Sequence, residues 1–335
     1  MKVIIPLAGK GTRLRPHTYV TPKPLVHVGG RPVMSYILDD LDKLGVQEIV
    51  FITGYLKERI EEYIRDEYPQ FRAHFVEQEV QDGTAGAVNL ARPYIDTDCL
   101  IIFVDTLFDA DLTLIQRLDD DVAGVIWAKE VEDYQRFGVI VKDDDGNMRR
   151  IVEKPQDPIS KLANIGLYYI RDWKLLFEGI DATVTGPTGK SGEFYLTDAF
   201  QYMIDKGARI RVEEVEGWYD CGQVETLIET NRHLLESGRG RKPHGGRRVR
   251  VTEPVRVEEG VTLENVELGP NVTIESGSVV RDSVLVDTLV GRDTIIEGSR
   301  LRGSVLGGHV RIRGADGSLN VADHSAVIGD GTAAG

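Results

Sequence analysis

Lys2-Val-Ile-Ile-Pro-Leu-Ala-Gly-Lys-Gly-Thr-Arg-Leu-Arg-Pro16 decides how the rest of the chain is read. Its first half, Lys2–Leu7, is an apolar run of strand length. Its second half carries glycines at 9 and 11 among the cations Lys10, Arg13 and Arg15. A buried strand that opens into a glycine turn brings backbone N–H groups close to a bound anion, and Thr12 adds a hydroxyl donor. Lys23 follows within Thr21-Pro-Lys-Pro-Leu25. Two standard phosphate loops do not fit. The dinucleotide fingerprint requires glycine at 14, which is Leu14, and the P-loop requires Gly-Lys-Ser/Thr where this loop has Gly9-Lys-Gly11. Gly189-Lys190-Ser191 has the P-loop ending but Val184 where the first glycine belongs. The remaining reading is a cationic loop with more charge than a dinucleotide needs, suited to a triphosphate being split.

Outward from this loop, apolar runs alternate with helical stripes. Strands are predicted at Lys2–Leu7, Glu48–Thr53, Ala73–Glu77 and Cys99–Val104. Helices are predicted at Pro32–Leu44, Lys57–Tyr68 and Thr84–Leu90, the first with Pro at its start and apolar residues at Val33, Ile37, Leu38, Leu41 and Leu44. That order implies an α/β fold: a Rossmann-like, mixed but mainly parallel sheet with helices on both faces. Further strands are expected at Ala123–Ala128, Gly138–Val141, Ile165–Ile170 and Ile210–Val215, then a helix over Val224–Leu235. The α/β domain is placed at residues 1–238. A basic, Gly/Pro-rich stretch at 239–250 reads as an exposed linker, with a nucleic-acid tail as the sharper alternative.

Beyond it the texture changes. Val266, Val272, Ser278, Val284, Val290 and Ile296 recur at every sixth residue, and Leu268, Ile274, Val280 and Val286 repeat the step. A small aliphatic at that interval suits a triangular solenoid over residues 251–330, where each short strand turns one side chain inward. A β-sandwich would show a period of two.

The 335 residues and their net charge of −14, from 40 Lys+Arg against 54 Asp+Glu, argue against a general nucleic-acid binder. Yet the first 38 residues contain Lys2, Lys10, Arg13, Arg15, Lys23 and Arg31 and no acid before Asp39, which points to a compact anion held there. No apolar run approaches the ~20 residues of a membrane helix. The opening apolar stretch is too short for a signal peptide, and Cys99 and Cys221 form no CxxC pair. A cytoplasmic protein with no membrane partner is expected.

The string Gly9-Lys-Gly-Thr-Arg-Leu-Arg-Pro-His-Thr-Tyr-Val-Thr-Pro-Lys-Pro-Leu25 resembles the signature loop of the sugar-1-phosphate nucleotidyltransferases, the nucleoside-diphosphate-sugar pyrophosphorylases. Further landmarks stand in that family's order: Glu77-Gln78, Asp82-Gly-Thr-Ala-Gly-Ala87, Val104-Asp105-Thr106, Phe137-Gly138, Glu153-Lys154-Pro155, Asn164-Ile-Gly-Leu167, Gly192-Glu193 and Trp218-Tyr-Asp-Cys-Gly222. The likeness is closest to glucose-1-phosphate thymidylyl- and uridylyltransferases with a C-terminal left-handed parallel β-helix.

The resemblance implies Mg2+-dependent nucleotidyl transfer from dTTP or UTP to a hexose 1-phosphate such as glucose 1-phosphate, releasing pyrophosphate. It assigns Leu7, Ala8, Gly9, Gly11, Thr12, Arg13, Gln78, Gly83, Thr84 and Asp105 to the nucleotide. Gly138, Glu153, Lys154, Asn164 and Glu193 are assigned to the sugar phosphate, and Asp105 and Asp220 to the metal. Arg13, Lys23 and Lys154 take the catalytic roles. The chemistry is consistent with this: a phosphate monoester is already ionised at pH 7, so catalysis needs alignment and charge neutralisation rather than a base. One departure stands out, since Val104-Asp105-Thr106 occurs where the family usually has Gly-Asp-Asn. Three alternatives stay open: a mannose-1-phosphate guanylyltransferase, a non-catalytic regulatory or structural relative, and an acetyl-transferring β-helix using His309 and His324. The solenoid's open ends and flat faces suggest a homo-oligomer.

Overall fold

The computed structural model describes residues 1–189 and 192–329, so Lys190 and Ser191 of the rejected P-loop reading, and Asp330 at the end of the expected solenoid, lie outside the described residues. Contacts divide the chain into two units, neither continuous in sequence. One comprises Met1–Gly9 and Tyr36–Trp218; the other joins Lys10–Ser35 to the chain from Tyr219 onward. The cationic segment after Gly9 thus groups with the C-terminal half, a division that the boundary expected at 238 did not foresee.

In the first unit, β1 (Lys2–Pro6), β2 (Glu48–Thr53), β3 (Arg72–Glu77) and β4 (Cys99–Ile102) form the parallel half of a nine-stranded sheet, in the order β4-β1-β2-β3. The central residues of β1, β2 and β4 are apolar without alternation because both faces are covered, whereas β3, at the edge, is only partly buried. Ile4, Val50, Ile52 and Ile101 join one core. Val88 of a helix α3 (Thr84–Asn89), Phe177 and Ile180 of α4 (Trp173–Thr185) and Phe200 of α5 (Leu196–Asp205) complete it. The alternate strand residues Val3, Ile5, Ile49 and Phe51 are fully buried as well. Two earlier helices, α1 (Val33–Lys43) and α2 (Lys57–Glu67), carry the other buried stripes, Ile37, Leu38 and Leu41 on α1 and Ile60 and Ile64 on α2.

The other half of this sheet is antiparallel. Its strands are β5 (Val122–Glu130), β6 (Gly138–Lys142), β7 (Met148–Glu153) and β8 (Leu162–Ile170), with β9 (Arg209–Glu214) parallel to β5. β8 runs antiparallel to β4, β5 and β6, and β7 pairs back on β6. β6, β7 and β8 are joined by turns rather than by crossover helices, and only antiparallel neighbours tolerate so short a connection. The sheet is therefore mixed half and half. α4 and α5, which no sequence stripe had announced, begin at residues 173 and 196; the Asp172 carboxylate caps α4 by accepting from Leu175 N–H at 3.1 Å.

The second unit is built on parallel coils. Val249 lies over Val266 and Val266 over Ser283, 17 residues apart. Leu285 lies over Leu301 after 16 residues, and Ile312 over Val327 after 15. The six-residue step read from the sequence thus holds as far as Val280 and then shortens. Buried positions continue at Ser283, Leu285, Thr288, Val290, Thr294, Ile296, Ser299 and Leu301, leaving Val284 and Val286 of the expected rows partly exposed. Buried hydroxyls link successive coils: Thr294 N–H donates to Ser278 Oγ, Val310 N–H to Thr294 Oγ1, and Ala315 N–H to Ser299 Oγ, each at 3.2 Å. They satisfy backbone donors that would otherwise be orphaned at the corners.

The stretch 239–250 ends in structure rather than in a free linker, since Arg247–Val251 is a strand of the coil sheet. Two of its arginines pair with coil carboxylates, Arg247 with Glu264 at 2.7 Å and Arg250 with Glu267 at 2.6 Å. Among the described residues no helix is long and apolar enough to cross a membrane.

Candidate functional site

The expected site residues fall on both units. Leu7, Ala8, Gly9, Gln78, Gly83, Thr84, Asp105, Gly138, Glu153, Lys154, Asn164 and Glu193 belong to the first, and Gly11, Thr12, Arg13, Lys23 and Asp220 to the second.

In the first unit the in-register parallel pairing brings the carboxyl ends of four strands to one edge, the usual ligand crevice of such sheets. Leu7 continues β1 by donating its N–H to Ile52 O at 2.7 Å. Ala8 is buried and its carbonyl accepts from Gln81 Nε2 at 2.7 Å, while Gly9 emerges exposed. Gln78 follows β3, and Asp105 follows β4. The Gln78 amide donates to Asp82 Oδ1 at 3.0 Å and to Gly83 O at 3.2 Å, so its nitrogen is engaged within the chain.

The antiparallel half supplies a second polar group. A Cβ on Gly138 would lie 2.8 Å from Glu153 Oε2 and would collide with Asn164 Nδ2, so the absence of a side chain there leaves room for both. Asn164 Nδ2 donates to Gly138 O at 3.0 Å, its Oδ1 accepts from the Tyr168 hydroxyl, and Thr197 Oγ1 donates to Glu153 Oε2 at 3.3 Å. Burial pushes the Glu153 carboxyl above its ordinary range, with neighbouring Lys154 pulling the other way. Lys154 sits in the left-handed region at φ 43°, which orients its ammonium 3.9 Å from Glu153 Oε1 and over the Tyr195 ring.

Residues 193–197 stitch the two groups together. Phe194 O accepts from Ala85 N–H at 3.0 Å, and Thr84 Oγ1 accepts from Leu196 N–H at 2.9 Å, one residue before Thr197 reaches Glu153. Gln81, Tyr168, Tyr195 and Thr197 went unread in the sequence. Only strand register and the start of α5 bring them in, and neither leaves a local pattern.

In the second unit, Gly11 adopts φ 59°, and a Cβ there would lie 3.0 Å from both Lys23 Cβ and Thr18 Cγ2. Its glycine therefore serves close packing of the Lys23 stem as well as the loop's turn. Thr12 and Arg13 lead into a short 3-10 turn anchored by fully buried Leu14. Asp220 is held by its neighbours: Oδ1 accepts from Gly222 N–H at 2.7 Å and Oδ2 from Thr226 Oγ1 at 3.3 Å. A Cβ on Gly222 would lie 2.7 Å from Asp220 Oδ1 and 3.2 Å from Lys23 Nζ, so ammonium and carboxylate flank that glycine.

Among the described residues no group of three or more His, Cys, Asp or Glu could by itself hold a metal. The Asp220 carboxylate, fixed by Gly222 and Thr226, is a donor of the kind that fits Mg2+, which takes one or two protein carboxylates and completes its shell with substrate phosphates and water.

Residues 2–237 match the Nucleotidyl transferase family. The bifunctional protein GlmU of Methanocaldococcus jannaschii is 34% identical over 280 residues, 83% of this chain and 61% of that protein, so the chain spans less than two thirds of that relative's length. The UTP–glucose-1-phosphate uridylyltransferase AglF of Haloferax volcanii is 32% identical over 241 residues, 70% of this chain and 97% of its own. A glucose-1-phosphate thymidylyltransferase of Streptomyces antibioticus is 28% identical over 355 residues and 98% of both chains. A solved UDP-glucose pyrophosphorylase, in complex with UDP-glucose, superposes with a TM-score of 0.60 at 24% identity, covering 70% of this chain and 98% of that one, which speaks to the fold alone. With the family matched over residues 2–237 and AglF 32% identical over 97% of its own length, this chain belongs to the Nucleotidyl transferase family.

Proposed function

We propose that the chain transfers a nucleotidyl group from a nucleoside triphosphate to a hexose 1-phosphate, forming a nucleotide sugar and pyrophosphate. The single observation that carries the reading is the family match over residues 2–237, within which Arg13, Lys23, Asp105, Lys154 and Asp220 are all present. The sugar-phosphate oxygen attacks the α-phosphorus, its bond forms as the bond to the β-phosphate oxygen breaks, and pyrophosphate leaves with that electron pair. The nucleophile is already ionised at pH 7, so the chain must align and neutralise. Gly9 and Gly11 bring backbone to the phosphates, and Arg13 and Lys23 balance charge on the triphosphate. Lys154 holds the sugar phosphate, while Glu153, Asn164, Glu193 and the Gly138 backbone orient sugar hydroxyls. Asp105 and Asp220 are the residues that would hold Mg2+, which would supply charge neutralisation on the phosphates.

The engaged nitrogen of Gln78 bears on the base. The carbonyl oxygen left to the ligand accepts a hydrogen bond, which suits N3–H of uracil or thymine, and hence UTP or dTTP. It suits N1–H of guanine equally, so guanylyl transfer to mannose 1-phosphate is the second reading. Pyrophosphate release measured over five nucleotides and several hexose 1-phosphates separates them. Asp105→Asn and Asp220→Asn should each lower turnover by at least ~100-fold with the fold intact; release with no pair of substrates would refute the reading. The same reading takes the coils as a left-handed β-helix serving self-association, and a monomer in light scattering on the full chain would refute that part.

A further inference from the structure

The cationic segment Lys10–Ser35 is tied to the coils at points far apart in sequence. Near its end, His27 Nδ1 lies 2.7 Å from Glu275 Oε1, and the Gly29 N–H donates to Asn231 Oδ1 at 3.1 Å. Asn231 is fully buried, also accepts from Thr273 Oγ1 at 2.7 Å, and donates through Nδ2 to Asn271 Oδ1 at 2.9 Å. Those contacts fix residues 27–29. Around Arg13 and Arg15, the side chain of Asn320 ties the segment to the coils.

Asn320 stands in the strand Asn320–Val321, stacked over Val305–Leu306. Its Oδ1 is 2.6 Å from Nε2 of His17, and its Nδ2 donates to the backbone carbonyl of Arg15 at 3.4 Å. With the amide nitrogen facing a carbonyl, the oxygen faces His17, so Nε2 carries the proton and donates. The His17 ring is buried, and its own carbonyl accepts from Val20 and Thr21 N–H. One amide therefore holds both the residue that follows Leu14 in the turn and the ring that seats the next turn.

We infer that Asn320 is a positioning residue for triphosphate binding: by gripping His17 and the Arg15 carbonyl, the coil sets where Arg13 and Arg15 present their charge. Leu14 anchors the turn on one side and Asn320 holds it on the other, and a guanidinium whose backbone is held in place loses less entropy per phosphate contact. The identity of the ligand rests on the reading above; the mechanical link does not.

Asn320 is itself exposed, so its truncation should spare the core. The test compares the full chain with Asn320→Ala and with Ser318→Ala, a neighbour in the same coil whose hydroxyl donates to Gly303 O. Amide exchange over residues 12–21 and steady-state kinetics are measured for each. Expected for Asn320→Ala are faster exchange over 12–21, a triphosphate KM raised about 5–10-fold, and a sugar-phosphate KM within 2-fold of the parent, with Ser318→Ala unchanged in all three. Unaltered exchange with an unaltered triphosphate KM overturns the inference, as does an equal rise in both KM values. Should the parent chain release no pyrophosphate with any substrate pair, the functional reading falls and exchange alone decides: faster exchange upholds the grip of Asn320, unchanged exchange refutes it.

Discussion

Gly138, Glu153 and Asn164 show how much chemistry a missing side chain permits. A methyl at 138 would press on Glu153 Oε2 at 2.8 Å and on Thr197 Cγ2 at 3.0 Å. Gly138→Ala is expected to displace the Glu153 carboxylate and the Asn164 amide, lower kcat/KM for the sugar phosphate by roughly 10–100-fold, and cost about 1–3 kcal/mol by overpacking; kinetics and denaturant unfolding on one preparation read both. Glu153 gives a pH test. Its folded-state pKa lies above the unfolded value of 4.5, so across that window the folded chain binds more protons than the unfolded one, and stability falls as pH rises. Glu153→Gln removes that burden. The Tm of the variant relative to the parent should climb between about pH 4 and pH 7, while kcat/KM for the sugar phosphate drops roughly tenfold or more as a charged acceptor becomes a neutral amide. A Tm difference flat with pH would place the cost elsewhere. Most of these residues could be picked from the sequence by the strings they stand in. Thr197 and Tyr168 could not, because register across β8 and the start of α5 selects them.

Elements were legible where periodicity is local. β1, β2 and β4 stand within a residue or two of their apolar runs, because strands buried on both faces advertise themselves. β7 alternates too weakly to read, Met148 and Ile151 being buried with Arg149 and Arg150 exposed between them, and its place follows only from the turn that folds it back on β6. The coils were legible as a type but not in phase. The steps shorten after Val280, and beside the aliphatics Leu285, Val290, Ile296 and Leu301 the buried row includes Ser283, Thr288, Thr294, Ser299 and Ser304, polar types that a hydrophobic count passes over. Their burial is compensated by bonds to the next coil, which makes a sharp prediction. Thr294 Oγ1 donates to Gly307 O at 3.0 Å and accepts from Val310 N–H at 3.2 Å. Thr294→Val keeps the shape and orphans both backbone groups, so denaturant unfolding should show a loss of about 1–3 kcal/mol. Thr113→Val, at an exposed hydroxyl bonded to Asp111, should change stability by less than about 0.5 kcal/mol. Equal losses in the two variants would mean that the buried ladder adds nothing beyond surface hydroxyls.

At the scale of the molecule, chain order and structural grouping part company. Reading along the sequence places the cationic segment with the sheet that precedes and follows it; contacts place Lys10–Ser35 with the coils. The discrepancy has a physical origin: the segment has little regular structure of its own, three short 3-10 turns and a two-residue ladder between His27–Val28 and Arg31–Pro32, so its order must come from what it packs against. Its buried side chains Leu14, His17 and Val28 and its bonds to Asn231, Glu275 and Asn320 supply that order. A fragment ending at residue 238 keeps Asn231 but removes Thr273 and Asn271, the partners of that buried amide, together with Glu275 and Asn320. In such a fragment, amides 10–32 should exchange at least tenfold faster than in the full chain, while those of β1, β2 and β4, which rest on the core shared with α3, α4 and α5, keep most of their protection. Protection retained over 10–32 would mean that the segment is ordered by the α/β sheet after all, and that the division read from contacts does not correspond to a unit of stability.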